Sequence, residues 1–97
     1  MTTIENIQPL SAETLFDLLK KEFADYINAK LDSNLTIEYG HVYDVINILF
    51  PEVLEGNAFT VTVSDNEITL LNNAEESEYN TELLEQHLIN FLNEKAG

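Results

Sequence analysis

The sequence predicts a small α+β domain in which an antiparallel hairpin or meander of two to three strands packs against about three helices. Two stretches, 11–31 and 80–95, carry apolar residues at helical spacing. A third stretch, 58–72, alternates apolar and polar residues around a turn signal, as β-hairpins do. Since 97 residues support one modest core, we expect a single domain over 1–97.

The first strong element is the helix predicted over 11–31. Residues 1–10 before it are assigned to an N-terminal segment. Ser11 is a residue type that caps helix N-termini. From Leu15 to Ile27, apolar residues recur at spacings of three and four and gather on one face. We therefore expect this helix to cover part of the core.

The middle of the chain predicts a short strand and then a helix. Residues 35–39 alternate as a strand does. In 41–50, the apolar residues follow helical spacing up to Pro51, which ends the predicted helix. A continuous β-branched run is also typical of a buried strand, so a strand over 41–50 remains the alternative.

The last third of the chain contains the clearest strand signal and a second long helix. Asp65 and Asn66 tolerate positive φ and predict the tight turn of a hairpin over 58–72. Asn80 is the predicted N-cap of a helix over 80–95. The apolar stripe of that helix faces the core.

The charge of the chain is its most informative feature. Eighteen acidic residues oppose four lysines, arginine is absent, and the formal net charge is −14. Phosphate contacts require lysine and arginine, so direct binding to nucleic acid is excluded in practice. An anionic membrane surface repels the chain for the same reason. The partners that such a charge attracts are basic protein surfaces, polyamines or metal ions.

The candidate partner-binding residues are acids on, or next to, the two predicted helices. One group falls within eleven residues near the C-terminus, and no lysine follows until Lys95. The other group lines the side of the first helix that faces away from its apolar stripe. The candidates are Glu75, Glu76, Glu78, Glu82, Glu85, Asp17, Asp25 and Asp32. Acids four residues apart on a helix advance about 6 Å, comparable to successive phosphates along a nucleic-acid strand.

No reaction motif is visible in the sequence. The chain has no cysteine, and its histidines, His41 and His87, have neither a nucleophile signature nor zinc-binding spacing around them. Its three glycines are scattered and form no phosphate-binding loop. We therefore expect no catalytic residue, no metal site and no cofactor.

The opening "MTTIENIQPLSAETLFDLL", the length and the acidic α+β organisation resemble small phage-encoded anti-CRISPR proteins that act as DNA mimics. The resemblance is to inhibitors of the type I-F CRISPR surveillance complex. It implies a protein that occupies the basic target-DNA site of that complex, with neither catalysis nor a cofactor. Helix-borne acids would then replace phosphates against lysine and arginine of the partner. The class has no shared motif from which individual residues are assigned.

The leading hypothesis is therefore a non-enzymatic protein inhibitor that blocks nucleic-acid binding by acidic mimicry. It would act in the cytoplasm of a bacterial host cell during evasion of host defence. The alternative is an immunity protein or antitoxin that neutralises a cationic nuclease, since such inhibitors use the same electrostatics.

Overall fold

A computed structural model of the chain describes residues 2–32, 34–54, 56–73 and 81–96. The strands are β1 (Thr2–Glu5), β2 (Glu38–Val42), β3 (Val45–Leu49), β4 (Phe59–Val63) and β5 (Glu67–Asn72). The helices are α1 (Ala12–Leu18), a π-helical segment (Leu19–Phe23), α2 (Ala24–Leu31) and α3 (Thr81–Ala96). No helix among the described residues is long and apolar enough to cross a membrane.

The five strands form one antiparallel sheet in the order β1-β5-β4-β3-β2. The α+β class is confirmed, whereas the predicted number of two to three strands is too low. The hairpin predicted over 58–72 corresponds to β4 and β5, in the centre of the sheet. Strands β1 and β2 are the two edge strands of the sheet.

The helices cover one face of the sheet. Alternate strand residues point to this side and are buried, as the period of two requires. Ile46 and Ile48 of β3, Val61 of β4 and Ile68 of β5 are all fully buried. They belong to one apolar cluster with the buried residues of α1, α2 and α3. On the opposite face, no described helix packs against the sheet.

The π-helical segment explains how the first helical stretch keeps one continuous buried stripe. Leu15, Leu19, Phe23 and Ile27 are all fully buried, although they are spaced by four. At about 100° per residue, three such steps would rotate an α-helical stripe by about 120° away from the sheet. A π-turn closes from residue i to i+5 and so takes up one additional residue, which recovers about 100°. The apolar period of four is thus the sequence signal for the segment Leu19–Phe23.

The helix predicted over 41–50 is wrong, because these residues complete β2 and form β3. Ile46 and Ile48 are buried while the residues between them are half-buried, which is the period of a strand. Val42 pairs with Val45 across a two-residue turn. The alternative of a strand, favoured by the β-branched composition, is correct here.

Two further boundaries also differ from the prediction. The strand predicted over 35–39 is displaced to Glu38–Val42. The predicted N-terminal segment 1–10 contains strand β1, where Ile4 is the one buried residue. A strand of four residues provides too few positions for its alternation to be recognised. The last helix is present from Thr81, and its predicted N-cap, Asn80, lies outside the described residues.

The Tyr39 hydroxyl is buried in β2 without a hydrogen-bond partner. Its ring meets Phe16 edge to face, with centroids 6.5 Å apart. Because phenylalanine retains this contact and removes the unsatisfied hydroxyl, Tyr39→Phe should raise the free energy of unfolding by about 1 kcal/mol. Urea denaturation measures the difference. Tyr26→Phe is the control, with an expected change below about 0.5 kcal/mol, and a loss of stability in Tyr39→Phe would contradict the account.

Burial also raises the pKa of Tyr39 above its ordinary value of 10.0. The tyrosine of the unfolded chain then ionises at lower pH than that of the folded chain, so unfolding becomes more favourable as the pH rises above 10. The stability advantage of Tyr39→Phe should therefore widen between pH 9 and about pH 11. Urea denaturation at both pH values tests this, and an advantage that stays constant would refute the assignment.

Candidate acidic binding surface

The two tight turns of the sheet and the end of β1 lie side by side along one border of the sheet. This border is the edge at which the strands end, and it runs across all five strands. The β2–β3 turn and the β4–β5 turn are adjacent because the N–H of Val63 donates to the carbonyl oxygen of Asp44 (2.8 Å). The end of β1 joins them, since the N–H of Asn6 donates to the carbonyl oxygen of Asn66 (3.0 Å). Neighbouring strands lie about 4.8 Å apart, so this edge is about 19 Å long.

Four exposed carboxylates line this edge. They are Glu5, Asp44, Asp65 and Glu67, named the acidic edge below. Glu5 and Glu67 are direct cross-strand partners and line a depression of about 390 Å³. Asp44 and Asp65 line a neighbouring hollow of about 160 Å³ beside the start of α1. The fold thus gathers four negative charges from three separate parts of the sequence.

Asn6 fixes the acidic edge to the helix layer. Its buried side-chain amide donates to the carbonyl oxygens of Leu10 (2.9 Å) and Ser64 (3.0 Å). Its side-chain oxygen accepts from the N–H of Leu10 (2.9 Å). One side chain therefore joins the end of β1, the segment before α1 and the β4–β5 turn, and so restricts how far the acids can move apart.

The four lysines of the chain all lie on the helices, and the strands and turns contain neither lysine nor arginine. Lys20 lies over the ring of Phe16 with its Nζ 5.0 Å from the centroid. Lys95 pairs with Glu22 (Nζ–Oε1, 2.9 Å), and the hydrogen bond raises the pKa of Lys95. The helix layer therefore mixes both charges, whereas the acidic edge has only negative ones.

The acids predicted on the first helix are exposed and belong to this mixed layer. Asp17 and Asp25 would lie about 80° apart on a regular α-helix, but the residue taken up by the π-turn brings them within about 20°. Asp25 lines a groove of about 380 Å³ together with Lys21 and Lys95, so cations lie beside it. Asp32 follows α2 in the left-handed conformation (φ 51°).

The structure places only part of the C-terminal acidic group. Glu82 and Glu85 lie in the first turns of α3 and line a depression of about 600 Å³ beside Asn72 at the end of β5. The Asn72 amide donates to the Thr81 hydroxyl (3.3 Å), which fixes the start of α3 to the sheet. Three other predicted residues, Glu75, Glu76 and Glu78, lie outside the described residues.

Sequence reasoning missed all four residues of the acidic edge. Asp44 fell inside the region predicted as a helix, and Glu5 fell in the N-terminal segment 1–10, to which no strand was assigned. Asp65 was assigned only to a turn. The signal that would have found them is the hairpin at 38–49. When two antiparallel hairpins lie side by side in one sheet, their turns lie at the same end of the strands.

The acidic edge spreads its carboxylates along a surface. Among the described residues, no group of three or more histidine, aspartate or glutamate side chains is arranged to hold a metal ion. The ring of His41 contacts Phe16 (centroids 5.1 Å apart), so its position is set by the helix. The geometry provides a row of exposed negative charges that suits an extended cationic surface.

No family model, no curated protein and no solved structure matches the chain. The functional interpretation therefore rests on the residues and on their geometry.

Asn6→Ala should lower the free energy of unfolding by about 2–4 kcal/mol, because three backbone groups lose a buried hydrogen-bond partner. Chemical denaturation measures the loss. The matched control is Asn90→Ala on the exposed side of α3, where the asparagine accepts from the exposed Gln86 (3.2 Å) and little change is expected. Equal effects of the two substitutions would show that Asn6 does not fix the edge.

The facing pair Glu5 and Glu67 should itself cost stability, because like charges directly opposite on antiparallel strands repel. The double variant E5Q/E67Q should gain about 0.5–1 kcal/mol at low salt and less at 1 M salt, where charges are screened. The double variant D17N/D25N changes the net charge equally, yet should gain less because lysines lie beside Asp25. Equal gains would mean that only net charge matters.

Proposed function

We propose that this protein is a non-enzymatic inhibitor that occupies a basic nucleic-acid-binding site of a partner protein through its acidic edge. The observation that carries the proposal is the segregation of charge. Four exposed carboxylates share one edge of the sheet, and all four lysines lie on the helices. The target that the resemblance names is the type I-F CRISPR surveillance complex.

The physical basis of the proposed inhibition is imitation of a phosphate row. Duplex DNA presents about one negative charge per 1.7 Å of axis over two strands. The acidic edge presents carboxylates on neighbouring strands and turns, with strand spacings of about 4.8 Å. A basic groove that binds phosphates is attracted to such a row, with fast and salt-sensitive association.

The acidic edge fits this role better than the acids of the first helix. A cationic partner approaching the helix layer meets Lys21, Lys95 and their neighbours, and like charges repel it. Glu82 and Glu85 lie beside Asn72, at the end of β5 opposite to Glu67, and so lie apart from the acidic edge. The proposed contact surface is therefore the acidic edge itself.

Competition with target DNA tests the proposal. Purified type I-F surveillance complex is incubated with the protein, and displacement of labelled target DNA is measured by fluorescence anisotropy at two salt concentrations. We expect displacement at low salt, weaker displacement at high salt, and about tenfold weaker inhibition by E5Q/E67Q. D17N/D25N, with the same change of net charge, should stay within about threefold of the unmodified protein.

Three outcomes of this competition would contradict the proposal. They are no binding to the complex, binding without displacement of DNA, and equal losses in the two double variants. Folding of each variant is checked by its thermal unfolding transition. Because E5Q/E67Q should be more stable than the unmodified chain, weaker inhibition by that variant is not explained by unfolding.

A further inference from the structure

Tyr43 stands at the tip of the β2–β3 turn in a conformation that disfavours it. Its φ is 54°, in the left-handed region where glycine, asparagine and aspartate are preferred. A bulky aromatic residue at this position lowers stability. Its side chain is 90% exposed, so no burial offsets that cost. Strain at an exposed aromatic residue points to a role outside the fold.

The backbone beneath Tyr43 is firmly held. His41 Nε2 donates to the carbonyl oxygen of Tyr43 (2.7 Å). The ring of His41 is supported by Phe16 of α1, and the next residue, Asp44, accepts from the N–H of Val63 (2.8 Å). The turn therefore presents the tyrosine ring from a fixed base, and binding costs less entropy when the contact group is ordered beforehand.

Three of the four lysines are committed to other aromatic rings. Lys20, Lys30 and Lys95 lie over the rings of Phe16, Tyr26 and Phe91 at 5.0, 5.5 and 5.6 Å. Among the described contacts, no lysine lies over Tyr43. Tyr43 is instead followed directly by the exposed Asp44 of the acidic edge. An aromatic face next to uncompensated carboxylates attracts a cation from another molecule.

We propose that Tyr43 is an arginine-binding anchor, whose ring stacks on a guanidinium group of the partner while the acidic edge neutralises its charge. The inference deepens the proposed function, on which it rests for the identity of the partner, by naming the cation and its contact. Arginine is favoured over lysine because its guanidinium is planar, weakly hydrated and able to stack.

Two peptides distinguish stacking from simple charge attraction. Isothermal titration calorimetry compares the binding of nona-arginine and nona-lysine, two peptides that carry the same number of positive charges. We expect the unmodified protein to bind nona-arginine about threefold or more tightly than nona-lysine. Tyr43→Ala should abolish this preference by weakening arginine binding while leaving lysine binding unchanged, and Tyr43→Phe should retain it. Equal affinities in the unmodified protein, or equal losses for both peptides, would overturn the inference.

The alternative that Tyr43 is needed for the stability of the fold is tested by Tyr43→Asn, because asparagine adopts the left-handed conformation readily. We expect its unfolding temperature to be no lower than that of the unmodified protein, and its arginine preference to be lost. A clearly lower unfolding temperature would assign Tyr43 to the fold and overturn the inference. The peptide experiment does not involve the CRISPR complex. A failure to displace target DNA would therefore not change the arginine preference, and a missing arginine preference would not change the DNA competition result.

Discussion

The sheet has one face of fully buried apolar side chains, and two helical stretches among the described residues cover it. Both must therefore lie on the same side. The first holds its stripe toward the sheet by means of the π-helical segment Leu19–Phe23, because a regular helix would rotate residues spaced by four away from the core. The last is fixed beside it by contacts such as Phe23 with Phe91, whose ring centroids are 5.2 Å apart.

Covering one face has an electrostatic consequence. The lysines all belong to the helices, so they are carried to the covered side. Three of them lie over aromatic rings there, and one of these three, Lys95, also forms an ion pair. Their methylene stems add apolar contact there. The acids of the strands and turns are left without cationic neighbours in their own elements. The separation of charge that suits a basic partner thus arises from the same layering that stabilises the domain.

Periodicity in the sequence was sufficient to predict the elements in which the apolar pattern is long and unbroken. The helices near 11–31 and 80–95 and the hairpin near 58–72 are of this kind. It failed at 41–50 because Val42, Val45 and Ile46 fit a helix as well as a strand, and tertiary pairing with β4 decided the outcome. That error also hid the acidic edge, because Asp44 and Asp65 lie near each other only when the β2–β3 turn and the β4–β5 turn are both formed. Of the predicted contact residues, Glu82 and Glu85 lie at the opposite end of the sheet from the acidic edge, and Asp17 and Asp25 share their layer with lysines.

The central claim is that the acidic edge is the surface that meets the partner. Hydrogen exchange by mass spectrometry, with and without purified type I-F surveillance complex, tests it most directly because it reports each segment separately. The account predicts slower exchange in the β2–β3 and β4–β5 turns and at the end of β1, with little change in α1 and α2. Protection confined to α1 and α2, or no protection at all, would contradict it.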